Sequence, residues 1–242
     1  MNRRPVAAFL DVNDTLSDLA SVAPAFTDAG LQAGDERAWY LAVLRDGFAA
    51  TVVGDNASYA AIGTDVARSM VRAAHPDRSD ADLDAAAQAI MTAMVAAQPH
   101  ADVVPGIVAL AQAGVRVITL SNGSTDVARK LLGDTSAGAS MDSYLSANDA
   151  GSWKPSPAAY RHGLRSAGVA GVEALMVAVH PWDLEGARRV GMRTAWINRT
   201  GANLSRAFRH ARHRGRVARG SRRRPLTWTR QRWMSLSVNT YR

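Results

Sequence analysis

Four short apolar, β-compatible runs along the chain each stop abruptly at a cluster of polar residues. The first, residues 5–12, ends in Asp11-Val12-Asn13-Asp14-Thr15, and the second, 115–120, ends in Ser121-Asn122-Gly123. The third, 175–179, runs into residues 180–183, and the fourth, 193–197, meets Asn198-Arg199. Near-continuous apolar character marks strands buried on both faces, as in a parallel sheet. Helix-like stretches lie between the runs at 106–113, 125–132, 157–167 and 184–190. This alternation predicts an α/β fold with a doubly wound, Rossmann-like parallel sheet. Ligands of such sheets bind beyond the carboxyl ends of the strands, where the polar residues of this chain collect.

Residues 17–99 follow another pattern. They are Ala-rich, with apolar residues at helical spacing and breaks near Gly34, Gly54-Asp55-Asn56 and His75-Pro76-Asp77, which predicts about four helices. The block falls between the first two strands, so it reads as a helical cap inserted into a core made of residues 1–16 and 100–201. No internal repeat is visible. Residues 202–242 keep neither period and are expected to be a disordered, Arg-rich tail.

The formal charge of +8 suggests an acidic partner until it is divided along the chain. Residues 202–242 hold 12 Arg, no Lys and no acid, leaving 17 basic against 21 acidic residues in 1–201. The body is thus about −4 and the tail +12, so the basicity belongs to one terminal segment. Those arginines, interleaved with Trp228 and Trp233, are the pattern of nucleic-acid binding; a solvated tail, or an altered reading frame replacing a final helix, is the plainer alternative. The chain has no cysteine, which excludes disulfides, thiolate metal sites and cysteine nucleophiles. No apolar stretch approaches the roughly 20 residues that span a bilayer. A soluble, cytoplasmic protein with a small-molecule substrate is the expectation.

The strand ends supply the candidate chemistry in order: Asp11 with Thr15, then Ser121 and Asn122, then Lys154 in Trp-Lys-Pro-Ser-Pro, then Asp183 in His-Pro-Trp-Asp. Any one alone is weak, since a lone Asp at a strand end is more often a turn residue. Together, in this order, they resemble the haloacid dehalogenase superfamily, whose motifs run Asp-x-x-x-Thr, Ser or Thr, Lys, and an acidic loop. The resemblance covers residues 5–201 and is strongest to the L-2-haloacid dehalogenase (type II) branch. That branch has a helical cap in this position, a Ser-Asn-Gly second motif, a third motif matched through Tyr160, and a closing Trp-Ile-Asn-Arg-Thr-Gly matched by residues 196–201.

By that resemblance Asp11 is a nucleophile that displaces halide and forms an ester which water then hydrolyses, dividing one hard step into two. Lys154 would hold its charge near Asp11, and Thr15 and Ser121 would fix the geometry with hydroxyl donors. A cation beside Asp11 keeps its carboxyl ionised at neutral pH. The resemblance also implies that Arg45 and Asn122 receive the halide, with Trp182 as a wall and Tyr160 in the substrate site. Arg45 has a bland alternative, a surface helix residue paired with Asp46 or Glu36. A homodimer is implied by the resemblance alone.

Most members of the superfamily are magnesium-dependent phosphatases, which place a second Asp two residues after the nucleophile and another acid five before Asp183. Here those positions hold Asn13 and Ala178. Asparagine cannot donate and recover a proton, and an alanine contributes nothing to an oxygen-ligand set. The chain also departs from the dehalogenase pattern, reading Ala-Val-His-Pro-Trp-Asp at 178–183 where Ser-Ser-Asn-x-Trp-Asp is usual. His180 either orients or deprotonates the hydrolytic water, or fills the asparagine's volume with one hydrogen bond. Asp183 would orient Lys154 or the water, and Asp14, where glycine is usual, is expected in an exposed loop. The sequence thus favours a metal-independent hydrolase of short 2-haloalkanoic acids without a cofactor; a magnesium-dependent phosphatase, and a noncatalytic or nucleic-acid-binding protein, are the alternatives.

Overall fold

A computed structural model describes residues 4–201; the tail expected to be disordered or to bind nucleic acid lies outside the described residues. The chain enters on β1 (Ala7–Leu10), passes through four helices, α1 (Ala23–Asp28), α2 (Asp35–Val52), α3 (Tyr59–Ala74) and α4 (Asp80–Val95), and returns through α5 (Val103–Gln112). It then alternates: β2 (Arg116–Ser121), α6 (Thr125–Leu132), β3 (Ser143–Ser146), α7 (Pro157–Ala167), β4 (Ala174–Ala178), α8 (Pro181–Arg189) and β5 (Arg193–Trp196). The strands form one parallel sheet in the order β3-β2-β1-β4-β5. The doubly wound α/β sheet expected from the apolar pattern is therefore the fold.

β1 is central because all four of its residues are apolar and buried. Its side chains alternate between two cores. Ala8 and Leu10 join Val103, Ile107 and Leu110 of α5 and Leu131 and Leu132 of α6 on one face. Ala7 and Phe9 join Tyr160 of α7 and Leu184 and Ala187 of α8 on the other. β3 was not among the four expected strands. Its sequence, Ser-Tyr-Leu-Ser, is short and half-buried at the sheet edge, so it lacks the apolar run that betrays an interior strand.

The helices between β1 and α5 build a third core around Phe26, Trp39, Val43, Leu83 and Ile90. They begin and end where the sequence breaks fall. Gly34 precedes α2 at φ +99°, a conformation open to glycine. Ser58 and Ser79 cap α3 and α4 by accepting backbone N–H groups of Ala61 and Asp82. Entry and exit of the block run side by side: Ser17 bridges Pro99, Asp18 N–H donates to the Gln98 carbonyl at 2.7 Å, and His100 N–H donates to the Leu16 carbonyl at 2.9 Å. That clasp fixes the block over the carboxyl end of β1. No helix among the described residues is long and apolar enough to cross a membrane.

Candidate active site

Asp11 follows β1 directly and is only 4% exposed. Burial alone would push its carboxyl up. Lys154 opposes this by donating to Oδ1 at 2.9 Å, and the Thr15 hydroxyl donates to Oδ2 at 2.5 Å. His180 Nδ1 lies 3.0 Å from the same Oδ2. The Lys154 charge, with the His180 hydrogen bond and charge, outweighs desolvation and holds Asp11 well below the usual carboxylate range. Thr15 is itself fixed: Val179 N–H donates to its hydroxyl at 3.2 Å, and Arg199 donates to its carbonyl at 2.7 Å while pairing with Asp102.

Lys154 is 0% exposed, and its ammonium also donates to Asp183 Oδ2 at 2.7 Å. Burial lowers its pKa, but Asp11 and Asp183 together raise it above the ordinary lysine value. Asp183 sits in the first turn of α8, fully buried. Burial pushes its carboxyl up; Lys154 works against that, and the Asp11 charge adds to it. Asp183 was expected to orient Lys154 or the water, and its carboxylate meets the Lys154 ammonium.

Tyr160 was expected in the substrate site, but it is fully buried behind Asp183. Its hydroxyl donates to Asp183 Oδ1 at 2.7 Å, so it faces the carboxylate and not a ligand. Gly186 makes room for it: a Cβ there would meet the Tyr160 ring and hydroxyl at 2.6 Å. Asn122, expected at the halide, also clamps the lysine segment: its Oδ1 accepts Lys154 N–H at 2.8 Å and one of the two N–H groups on its Nδ2 donates to the Lys154 carbonyl at 3.2 Å. Ser121 ends β2 beside it, buried, its hydroxyl accepting Gly123 N–H at 2.9 Å.

Arg45 is corrected outright. Its side chain is 72% exposed on α2 and forms a two-point pair with Asp46 at 2.6 and 2.9 Å. The helix turns Trp39, Tyr40, Val43 and Leu44 inward, and at 100° per residue Arg45 falls on the opposite face. The cation that does approach the site is Arg37, 3.7 Å from Asp14.

Asp14 is not an exposed loop residue. It adopts φ +62°, where glycine is at home, and its carboxylate stands 3.6 Å from His180 Nε2. Tyr40 approaches the same nitrogen at 3.4 Å and donates to the Asn13 carbonyl at 3.3 Å. Burial lowers the His180 pKa, yet its bonds to Asp11 and Asp14 and their charges raise it to about 9. His180 is thus an imidazolium at neutral pH. Trp182 stacks on it with ring centroids 5.0 Å apart and meets Phe48 of α2 edge-on at 4.9 Å.

Sequence reasoning missed Tyr40, Tyr59 and Arg37. All three lie on the helical block, where a polar residue among apolar neighbours carries no motif. Among the described residues, no three His, Asp or Glu side chains are grouped so as to hold a metal ion.

Residues 6–191 match the family model described as haloacid dehalogenase-like hydrolase. The chain is 34% identical to haloacetate dehalogenase H-2 of Moraxella sp. (strain B) over 104 residues, covering 43% of this chain and 46% of that one. It is also 34% identical to a phosphoserine phosphatase of Thermus thermophilus, over 87 residues, covering 36% and 35%. The chain spans about half the length of the haloacetate dehalogenase, or less in the case of the phosphatase. Among solved structures, a dehalogenase with an intermediate complex superposes with a TM-score of 0.73 at 25% identity, over 83% of this chain and 88% of that one.

Proposed function

The chain belongs to the haloacid dehalogenase-like hydrolases, and on that premise we propose that it hydrolyses short 2-haloalkanoic acids without a metal ion, through an ester on Asp11. In this reading residues 1–16 and 100–201 are the catalytic core and residues 17–99 the cap that covers the nucleophile. The substrate is a small acid and the enzyme a homodimer, both carried by the family resemblance, and the cytoplasm is the default setting.

One observation carries the reading: Asp11 is buried, ionised and held by Lys154, Thr15 and His180, beside Asn13 instead of a second acid. A carboxylate so placed is a nucleophile, and the asparagine two residues after it cannot serve as general acid for a phosphate ester's leaving oxygen. An Asp11 oxygen forms the new C–O bond as the C–X bond breaks, and halide departs with the electron pair. Esterification removes the Asp11 charge, one of the interactions that keep His180 protonated. The imidazolium then yields its proton more readily and becomes the base that accepts a proton from water. Water oxygen adds to Asp11 Cγ, and because Lys154 donates to one Asp11 oxygen and Thr15 to the other, the oxygen not bound to the substrate carbon keeps a donor as it gains charge; the Cγ–O bond to the substrate then breaks, its oxygen takes the proton that His180 accepted from water, and the 2-hydroxy acid leaves, restoring the carboxylate and, with one proton lost to solvent, the resting site. Each turnover consumes one water and releases one halide and one proton.

Purified protein given L-2-chloropropionate or fluoroacetate in EDTA is expected to release halide, and Asp11→Asn to lose at least about 1,000-fold of that rate. The partial likeness to a phosphatase supplies the competing reading. Halide release absent from both, with magnesium-dependent hydrolysis of a phosphomonoester, would establish it instead.

A further inference from the structure

The His180 ring is engaged at both nitrogens. Nδ1 lies 3.0 Å from Asp11 Oδ2, while Nε2 faces Asp14 Oδ2 at 3.6 Å and the Tyr40 hydroxyl at 3.4 Å. A neutral imidazole accepts a proton at one nitrogen only while it carries its own on the other, and the partner of that second nitrogen decides which is which. Tyr40 has one proton, which it gives to the Asn13 carbonyl, so toward Nε2 it offers a lone pair. Asp14 offers Nε2 a carboxylate oxygen. Both neighbours therefore favour a proton on Nε2.

Asp14 is held in place for this contact. Among the described residues it is the one non-glycine at positive φ, +62°, a conformation that Asp and Asn enter more readily than other side chains. Its N–H donates to Ser17 Oγ at 3.2 Å, which pins the turn. Its side chain is 18% exposed, and Arg37 of α2 approaches it from the side away from the ring at 3.7 Å. The ring is fixed as well, stacked on Trp182 at 5.0 Å and tilted against Tyr40 at 5.7 Å. An unusual backbone conformation that aims a part-buried carboxylate at a ring beside the nucleophile marks a functional constraint.

We propose that Asp14 is a positioning residue: it keeps a proton on His180 Nε2, so that Nδ1, the nitrogen beside Asp11, takes the proton of the water that hydrolyses the Asp11 ester. The step rests on the dehalogenase reading of Asp11. Once the ester has removed the Asp11 charge, the Nδ1 proton of the imidazolium goes to solvent. The O–H bond of water then breaks, its proton joins Nδ1 and its oxygen joins Asp11 Cγ, while the Nε2 proton stays beside Asp14. The groups that face the ring are Asp11 after β1, Asp14 in the following turn and Tyr40 of α2, with Lys154 behind Asp11 and Arg37 behind Asp14.

Asp14→Asn suits the same backbone conformation but offers Nε2 an N–H, which draws the neutral ring to the tautomer with its proton on Nδ1. Asp14→Gly keeps the backbone and offers Nε2 nothing. Single-turnover mass measurements with L-2-chloropropionate are expected to show Asp11 alkylated in both variants within about threefold of the wild-type rate. Hydrolysis of the ester should slow roughly 100-fold in Asp14→Asn, the scale of one general base, and clearly in Asp14→Gly, so that ester accumulates. The acid limb of the hydrolysis profile should move to lower pH, because His180 without the Asp14 charge releases its proton more readily. Alkylation and hydrolysis falling together, hydrolysis unchanged in either variant, or an unmoved acid limb overturns the proposal. A second readout needs no turnover. In 15N-histidine spectra, His180, identified by the signal lost in His180→Gln and raised to about 9 in wild type, should titrate about 1 pH unit or more lower in Asp14→Asn; an unchanged midpoint overturns the pairing. If wild type never alkylates Asp11, the dehalogenase reading fails, and the histidine titration still decides whether Asp14 holds His180.

Discussion

The two walls of the site are built to different standards. On the sheet side, Asp11, Lys154, Asp183 and Tyr160 form a chain of contacts between 2.7 and 2.9 Å, with every member buried. On the helical side Tyr40 stands 3.3 and 3.4 Å from its partners, Arg37 is 3.7 Å from Asp14, and the Tyr59 hydroxyl has no partner among the described residues. A wall whose donors are all committed enforces one geometry on the nucleophile. A wall with slack or unspent donors costs stability, about 1–3 kcal/mol for each unpaired buried group, and is ready to meet a ligand. The nucleophile is therefore preorganised by the core, and recognition falls to the block above it.

The sharpest way to break that contrast is Lys154→Met. Two buried carboxylates would lose the cation they share, and breaking such a pair costs about 3–5 kcal/mol. Urea denaturation should register that loss. The pH dependence has a definite sign. Asp11 has a depressed folded pKa, so its contribution in wild type is present above its ordinary value of 3.8 and fades only as pH falls through the lower folded value. Without Lys154, burial dominates and the Asp11 pKa rises, so stability is lost at higher pH and alkylation needs a more alkaline solution. A loss below about 1 kcal/mol, typical of surface pairs, would mean the sheet-side wall is no more rigid than the helical one.

His180 joins the two walls, since Nδ1 faces Asp11 and Nε2 faces Tyr40 and Asp14. Its pKa rises from 6.5 to about 9 on folding. Its stabilisation is then fully present below pH 6.5 and lost as pH climbs through about 9. The stability gap between wild type and His180→Gln should shrink across that window, and a flat gap would remove the imidazolium from the picture. In turnover the variant should accumulate alkylated Asp11, with ester hydrolysis slowed roughly 100-fold.

How much of this could be read from the sequence follows the same division. Asp11 directly follows a buried strand, Thr15 and Lys154 lie in the turns after β1 and before α7, and Asp183 is just inside α8, so polar residues at the breaks between elements are visible without any coordinates. The parallel sheet was legible for that reason too, apart from β3, whose half-buried edge position gives no apolar run. Tyr160 was found but misassigned, because a motif says that a side chain is needed near the site and not which way it faces. On the helical block each turn offers several polar residues, and only packing decides which one points inward. Tyr40 and Tyr59 look like ordinary aromatic core positions in the sequence.

Arg45 tests the contrast from its weakest end. Its guanidinium belongs to neither wall: it lies on the outer face of α2, tied to its neighbour Asp46. Arg45→Ala should therefore leave kcat and KM for a 2-haloalkanoic acid within about twofold of wild type, as substitutions away from packed or buried features do. The midpoint of denaturation should stay in place, because the pair is solvated and shared with the adjacent residue. A large rise in KM, or a collapse of kcat confined to poor leaving groups, would mean that α2 rotates Arg45 into the site when substrate binds. The halide would then have a cation on the cap side, and the slack of the helical wall would reflect a closing movement in place of a fixed wall.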